Sequence, residues 1–322
     1  MPAPASRSPT LRSHAPQRRV ASTERTVLSP VEGMLQRRIP CTGEALPAVG
    51  LGTYQAFDVG AAPADRAALA EVLQTLVAQG GRMLDSSPMY GSAEDVVGEL
   101  QTQLGLRPRL FLATKVWTSG RDAGIRQMQA SLRRMRLAPA PGDVTAAVDS
   151  GRDCLDLMQI HNLVDVHTHT ATLQEWKRQG TVRYIGITHY HAGAHDELAR
   201  LIATRQYDFV QLNYSIVERE AEQRLLPLAQ QLGVAVIANR PFAQAGLFSR
   251  VRGKPLPDWT SEFDCASWGQ FFLKYILSHP AITCTIPATH NPAHMLNNAL
   301  AGYGRYPDQA MRTRMVRYLD QL

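Results

Sequence analysis

From residue 48 onward the chain alternates between two kinds of apolar pattern. The first is a short, near-continuous apolar run, seen in "AVGLGT" (48–53), "RMLDSS" (82–87), "LFLATKVW" (110–117), "LDLMQIH" (155–161), "RYIGIT" (183–188), "FVQLNYS" (209–215), "VAVIANR" (234–240) and "ITCTIPA" (282–288). Continuous rather than alternating apolarity is what a strand buried on both faces requires, because neither face meets water. The second pattern repeats apolar residues at three- and four-residue spacing, which gives a helix one buried stripe. Leu69, Leu73, Leu76 and Val77 mark the first helix. Ala93, Val97, Leu100 and Leu104 mark the second, with Ser92 placed to cap it. Ile125, Met128, Leu132 and Met135 mark the third, and stretches at 172–179, 193–204, 220–231, 266–277 and 293–301 complete the series.

Eight strand–helix units in this order predict an α/β fold of the (β/α)8 TIM-barrel type. An open doubly wound sheet fits less well, since no GxGxxG turn comes after the first strand. Ahead of the barrel, "QRRIPCTGEALP" reads as a short hairpin able to plug its lower end, and Met311, Met315 and Leu319 mark a C-terminal helix. The expected organisation is a disordered basic leader over 1–35 and one barrel domain over 36–322. The leader sets Arg7, Arg12, Arg18, Arg19 and Arg25 among Ser, Pro, Ala and Thr, with too little apolar surface to fold. The stretch after Arg18-Arg19, "VASTERTVLSPVEG", is too polar for the apolar region of an export signal. A second irregular stretch, "APAPGDVTAAVDSGRD" (138–153), lengthens the link between the third helix and the fourth strand, on the barrel's lower face.

Composition narrows the partners. No run approaches the roughly 18 uninterrupted apolar residues of a membrane span. The formal net charge is +6, but the basic residues are scattered and form no stripe interleaved with aromatics, so no nucleic-acid partner is expected. Cys41, Cys154, Cys265 and Cys284 lie far apart, in no CxxC or Cys/His ligand pattern, and read as reduced thiols of a cytoplasmic protein. Nothing in the pattern speaks to the oligomeric state.

In such a barrel the chemistry sits at the carboxyl ends of the strands. The second strand ends at Asp85 with Tyr90 just beyond, the third carries Lys115, and the fourth ends at His161. Consecutive strands are neighbours, so these four side chains are expected to converge on one side of the mouth. A carboxylate buried at a strand tip is costly unless a charge meets it, and Lys115 is that charge. Lysine occurs only at 115, 177, 254 and 274, and a lysine in a buried strand demands a partner. An adjacent ammonium favours the phenolate, so Lys115 is expected to lower the Tyr90 pKa from its usual value near 10. Tyr90 then serves as general acid, while His161 orients a carbonyl or shares the proton.

The stretches "LDSSPMYGSAE", "ATKVW" and "QIHN" together resemble the aldo-keto reductase family, with its Asp, Tyr, Lys and His tetrad at Asp85, Tyr90, Lys115 and His161. The resemblance runs from about Arg38 to Gly302 and implies NAD(P)H-dependent reduction of a small aldehyde or ketone, with NADP favoured and NAD admitted. It also implies cofactor contacts. "YIGITHY" is similar to the strand end that grips the nicotinamide carboxamide, with Thr188 and His189 in place of Ser and Asn, and Gln211 of "VQLNYS" is similar to a further carboxamide ligand. In "ANRPFAQAG", Asn239 stands where the family commonly stacks an aromatic ring, leaving Phe242 as a substitute. "IPATHNPAHMLNN" resembles the phosphate and adenine segment, through Pro287, Thr289, His294 and Asn298. There Ala288 and His294 replace a Lys and an Arg, and Asn297 replaces a Glu, which narrows the preference for NADP unless another arginine, such as Arg240 or Arg305, reaches the site. Tyr54, Trp117 and the loop from Gly246 to Asp264, with Trp259, are the expected pocket walls, and their aromaticity points to apolar carbonyl compounds.

Two other readings compete. "HTH" at 167–169 is similar to the HxH of metal-dependent barrels, and His191 and His195 are four apart. The first lacks the further strand-end ligands such a site needs, and the second lacks the Glu of HExxH and encloses Gly193, so no metal is expected. The family resemblance also admits a cofactor-loaded regulatory or interaction protein that turns over slowly.

Overall fold

A computed structural model describes Met1, residues 33–137 and residues 154–322. The link expected over 138–153 and residues 2–32 of the expected leader lie outside the described residues.

Chain order starts with an antiparallel hairpin, β1 (Gln36–Arg38) and β2 (Ala45–Pro47). Eight parallel strands come next: β3 (Leu51–Gly52), β4 (Met83–Asp85), β5 (Phe111–Val116), β6 (Leu155–His161), β7 (Val182–Thr188), β8 (Phe209–Asn213), β9 (Ala235–Asn239) and β10 (Ile282–Thr285), each paired with its neighbour in sequence. The sheet closes on itself. Gly50 N donates to Thr285 O (2.9 Å), Thr285 N to Ala48 O (2.9 Å) and Gly52 N to Pro287 O (3.2 Å), so the last strand meets the first. The (β/α)8 barrel expected from the pattern is the observed fold.

The helices are α1 (Pro63–Ala78), α2 (Ala93–Gln103), α3 (Arg121–Arg134), α4 (Val166–Arg178), α5 (His195–Ala203), α6 (Leu225–Leu232), α7 (Gly246–Arg250), α8 (Trp268–Leu277), α9 (Pro292–Leu300) and α10 (Gln309–Asp320). Their apolar stripes bury against the outer face of the sheet in one core that takes in Leu69, Leu73, Val97, Leu132, Leu173 and Met315. Two details depart from the sequence reading. Helix α4 starts at Val166, earlier than the stripe shows, because Val166, Thr170, Leu173 and Trp176 mix polar with apolar residues on its buried face. Ser92 precedes α2 but caps nothing, since its hydroxyl is spent on Asp58 Oδ1 (3.1 Å) and Val59 O (2.9 Å).

Inside the barrel every second residue of a strand points to the axis. The lower positions are apolar: Met83, Phe111, Ala113, Leu157, Tyr184, Phe209, Ala235 and Ile237 form a separate cluster with Ile39 and Leu46 of the hairpin, which plugs the bottom as expected. Two residues further along the same inward series stand Asp85, Lys115, Gln159 and Gln211, all at most 2% exposed. Helix α10 is fastened by Arg312, which donates to Ser278 Oγ (2.8 Å) and Tyr214 OH (2.7 Å) and pairs with Glu222.

Near the amino ends of β5, β6 and β7, Asp156 joins three segments. Its carboxylate accepts from Leu112 N (2.8 Å) and pairs with Arg107 (3.3 Å) and Arg183 (2.6 Å), and Arg183 also pairs with Glu44 of the hairpin turn. Asp156 is 2% exposed, so its removal leaves the Leu112 amide without a partner and takes one of several acceptors from each of two partly buried arginines. Asp156→Ala is expected to destabilise the fold by about 2 kcal/mol, the scale of a buried donor left without its acceptor, read as a lower urea midpoint at unchanged slope; an unchanged midpoint would show that the network does not brace the barrel.

Candidate active site

The polar layer at the barrel mouth is built around one carboxylate. Lys115 Nζ lies 2.6 Å from Asp85 Oδ2 and 2.7 Å from Ser86 O, and the other carboxylate oxygen, Oδ1, accepts from Gln159 Nε2 (2.9 Å) and Gln211 Nε2 (3.0 Å). Strand pairing sets this up, with Asp85 beside Ala113 and Lys115 beside Gln159. Gly186 gives the glutamine room, since a Cβ there would come within 3.2 Å of Gln159 Cγ and 3.0 Å of Phe209 O. Burial opposes the Lys115 ammonium, and the Asp85 carboxylate and the Tyr90 phenol together more than offset this, holding its pKa above the usual lysine value.

Tyr90 sits on the loop after β4, its ring centre 4.9 Å from Lys115 Nζ. Asp58 fixes this loop by accepting from Ser92 N (2.9 Å) and Ser92 Oγ, and it packs on Gly91, whose φ of +57° and lack of a side chain admit the carboxylate. The net effect on the phenol reverses the sequence expectation. Burial raises the Tyr90 pKa, and Lys115, pulling the other way, does not overcome it. The expectation weighed the ammonium and left out the desolvation of the phenolate.

His161, at the end of β6, meets Ser87 Oγ through Nδ1 at 3.0 Å, and its ring faces Tyr90 edge-on at 5.9 Å. Burial, and then the Lys115 charge, push its pKa down to about 2, so the imidazole is neutral. Of the two roles expected for it, orienting a carbonyl is compatible with a neutral ring. The four tetrad residues therefore converge as the strand order predicts. Tyr54 packs on Tyr90 (5.0 Å) and Trp117 lies 6.4 Å from His161, both with half-exposed rings at the rim.

Several cofactor candidates gather across the mouth. Thr188 Oγ1 donates to Gln211 Oε1 (3.2 Å), and Asn239 Nδ2 donates to His189 O (3.2 Å) and Gln211 Oε1 (3.4 Å). Asn239 Oδ1 is buried with no partner among the described residues. Burial lowers the His189 pKa to about 4, and its ring stacks on Tyr190. Past β10, Thr289 Oγ1 accepts from Asn291 N (3.1 Å), and Asn291 caps α9 by accepting from Ala293 N and His294 N. Pro287 is buried, Asn298 is 5% exposed, and the His294 side chain is exposed on the first turn of α9. Asn297 has a structural task, accepting from Ser267 Oγ (2.9 Å) and Gln270 Nε2 (3.0 Å) of α8.

Four expectations change. Phe242 packs on Phe248 (4.8 Å) and Phe272 (6.5 Å), so its ring is consumed by the contact of α7 with α8 and does not stand in for the missing aromatic. Trp259 packs on Phe263, Phe271 and Tyr318 under the Arg314 guanidinium, because the 246–264 loop folds onto α8 and α10; it is no wall of the mouth. Arg240, in a left-handed conformation (φ +52°), pairs with Glu218 at 3.5 Å. Arg305 is held by Asp264 at 2.6 Å and Ser261 O at 2.8 Å. Both arginines thus have carboxylate partners, while Arg240 keeps a buried Nε with no partner among the described residues.

Sequence reasoning missed Ser87, Gln159 and the Asp58 clamp. Gln159 had a signal, since it falls two residues before His161 in the inward series; Ser87 and Asp58 had none, because their roles arise between loops. Among the described residues no group of three or more His, Cys, Asp or Glu is placed to hold an ion. All four cysteines are free, and burial pushes the Cys265 thiol up to about 11 and that of Cys284 higher. No helix among the described residues is long and apolar enough to cross a membrane.

Comparison with known proteins agrees with this geometry. The sequence model of the Aldo/keto reductase family matches residues 48–313. Methylglyoxal reductase YeaE of Escherichia coli is 30% identical over 274 residues, 83% of this chain and 89% of the relative. An aldo/keto reductase of Klebsiella pneumoniae solved with NADP and acetate superposes with a TM-score of 0.68 at 24% identity, covering 86% of this chain and 93% of that one. Another aldo-keto reductase structure from that organism, with NADPH, gives a TM-score of 0.69 at 24% identity over 90% and 95%. On the family match and the shared length with its relative, this chain belongs to the aldo/keto reductase family and is an oxidoreductase.

Proposed function

We propose that the chain reduces a small aldehyde or ketone to the alcohol with NADPH, and that Tyr90 donates the proton. The observation that carries this reading is the buried Asp85–Lys115 pair beneath a phenol that faces a neutral histidine. The solved relatives named with NADP or NADPH, and the methylglyoxal reductase, support cofactor and substrate class; a 2-oxoaldehyde is the substrate to try first. The free thiols are consistent with a cytoplasmic setting.

The residues at the mouth fit a nicotinamide. Asn239 Oδ1 is an unsatisfied acceptor beside Gln211 and His189, the kind of group a carboxamide N–H satisfies. Thr188, His189, Gln211 and Asn239 would hold that end, and Pro287, Thr289, His294 and Asn298 the phosphate and adenine end. When bound, the reduced nicotinamide supplies the hydride that reaches the carbonyl carbon.

The remaining chemistry belongs to the side chains. A raised pKa keeps the Tyr90 phenol protonated at neutral pH, ready to give its proton to the developing alkoxide. The phenolate left behind is stabilised by Lys115, which Asp85 holds in place and keeps charged. With the Ser87 hydroxyl donating to Nδ1, the neutral His161 keeps its proton on Nε2 and offers it to the substrate oxygen. Tyr54 and Trp117 flank this point and favour apolar carbonyl compounds.

Tyr90→Phe keeps the ring and removes the acid, so turnover should fall by at least about a hundredfold, with NADPH affinity nearly unchanged by fluorescence titration. The wild-type rate should hold through neutral pH and decline only above about pH 10, because the active form is the protonated one and its pKa lies above the usual tyrosine value. Near-normal turnover of the variant would remove Tyr90 from the mechanism.

Cofactor choice has its own test. Ala288 and His294 leave this segment without a permanent cation, and Arg240 and Arg305 are engaged elsewhere. Ala288→Lys with His294→Arg should tighten NADPH binding by about 1.5–3 kcal/mol, the scale of a hydrogen bond to a charged group, and leave NADH binding nearly unaffected. Equal tightening of both would show that the segment does not meet the 2′-phosphate.

A further inference from the structure

The second histidine of the "HTH" stretch has no part in the chemistry above, yet it is fully buried at 0% exposure. His169 lies on α4, and its Nε2 approaches Thr118 O at 2.7 Å while Nδ1 is buried without a partner among the described residues. With a carbonyl as the acceptor, Nε2 is the ring atom that carries the proton. The ring packs on α3 at Gly124, where any Cβ would come within 2.4 Å of His169 Cε1 and 2.8 Å of Nδ1. Glycine at 124 is thus what lets the imidazole through to the loop beyond.

That loop, 117–120, leaves β5 two residues after Lys115 and carries Trp117. It is tied at every other residue or closer. Gln127 of α3 accepts from Trp117 N (2.6 Å) and donates to Trp117 O (3.1 Å), His169 donates to Thr118 O, and Asp165 Oδ2 accepts from Gly120 N (2.7 Å). Asp165 belongs to the loop after His161, a tight turn in which Asn162, Leu163 and Asp165 all take left-handed backbone conformations (φ +52°, +59° and +46°). Non-glycine residues hold such conformations only where surrounding contacts over-determine them. The loops after β5 and β6 are therefore clamped to each other, and the clamp fixes Trp117 beside His161.

We infer that His169, together with Gln127 and Asp165, is a positioning device that holds the Trp117 wall against His161 and so sets the acceptance of large carbonyl substrates. This rests on the reading of the mouth as the site of carbonyl reduction. His169 touches no tetrad residue; it acts through the Thr118 carbonyl and the indole of Trp117.

The test uses three variants of the full chain. His169→Phe keeps a planar ring without the donor, His169→Gln keeps a donor, and Gln127→Ala releases the same loop from the half-buried side, so that a folding failure of His169→Phe does not end the test. Propanal, too small to need the indole, and 4-nitrobenzaldehyde, which needs it, are compared with NADPH. For His169→Phe and Gln127→Ala, KM for 4-nitrobenzaldehyde should rise about tenfold, the scale of one lost hydrogen bond, with kcat for both substrates and KM for propanal within about twofold; His169→Gln should recover much of the loss. Iodide quenching of Trp117, isolated by subtracting the matching Trp117→Phe protein, should increase in the same two variants. Unchanged KM and unchanged quenching in both would overturn the inference, as would an equal loss for both substrates with a lowered melting temperature. A wild type that reduces neither aldehyde would instead count against the reductase reading, and the quenching comparison would then decide the positioning on its own.

Discussion

A lysine with no exposed surface, inside the lumen of a closed sheet, is the feature around which this molecule is arranged. Removing an ammonium and a carboxylate from water costs several kcal/mol per ion, and mutual attraction offsets that only where the remaining hydrogen-bonding capacity is also met. Here it is met. Asp85 takes Lys115 on one oxygen and two glutamine amides on the other, and Lys115 has a second acceptor in the Ser86 carbonyl. Each of these partners comes from a different barrel strand or strand end, so the pair is satisfied only when β4, β5, β6 and β8 are in register. Formation of the site consequently depends on the register of half the barrel.

The same register explains why the site is at one end. Inward-facing positions recur every second residue, and on each long strand they run from apolar to polar: Phe111, Ala113 and Lys115 on β5, Leu157, Gln159 and His161 on β6, Phe209, Gln211 and Asn213 on β8. The apolar lower layer, sealed by Ile39 and Leu46 of the hairpin, keeps water from reaching the ion pair from below. Water exclusion strengthens the electrostatic coupling of Lys115 to Tyr90 and also penalises the phenolate. That second effect wins for the resting phenol, which is why Tyr90 is held in its acid form while a cation stands ready for the base form.

Much of this was legible in the residues. The eight strands, the hairpin, the C-terminal helix and the convergence of Asp85, Tyr90, Lys115 and His161 come from apolar periodicity and from the neighbour relation of parallel strands. What escaped was tertiary in origin. The direction of the Tyr90 shift is a balance of burial against charge, and burial is invisible in a string of letters. Trp259 and Phe242 had the right chemistry for a binding wall, but Trp259 packs on Phe271 of α8 and Tyr318 of α10, and Phe242 on Phe248 of α7 and Phe272 of α8. Ser87 and Asp58 are ordinary polar residues whose partners are 74 and 34 positions away in the chain.

The departures from the family pattern fall on the cofactor side of the mouth, and they share a physical direction. Asn239 replaces a stacking surface with an amide that has an acceptor to spare, and Arg240 beside it is neutralised by Glu218. At the other end of the cleft, Ala288 and His294 take away fixed positive charge while the Asn291 cap already occupies the first amides of α9. On the proposed reading, dispersion and charge are both reduced in favour of directional hydrogen bonds to Thr188, Gln211, Asn239 and Asn298. Hydrogen bonds to neutral groups are about half as strong as charge-assisted ones and are far less sensitive to salt, because screening acts on charges. On the proposed reading, a cleft built this way would hold a dinucleotide with an affinity that varies little with ionic strength.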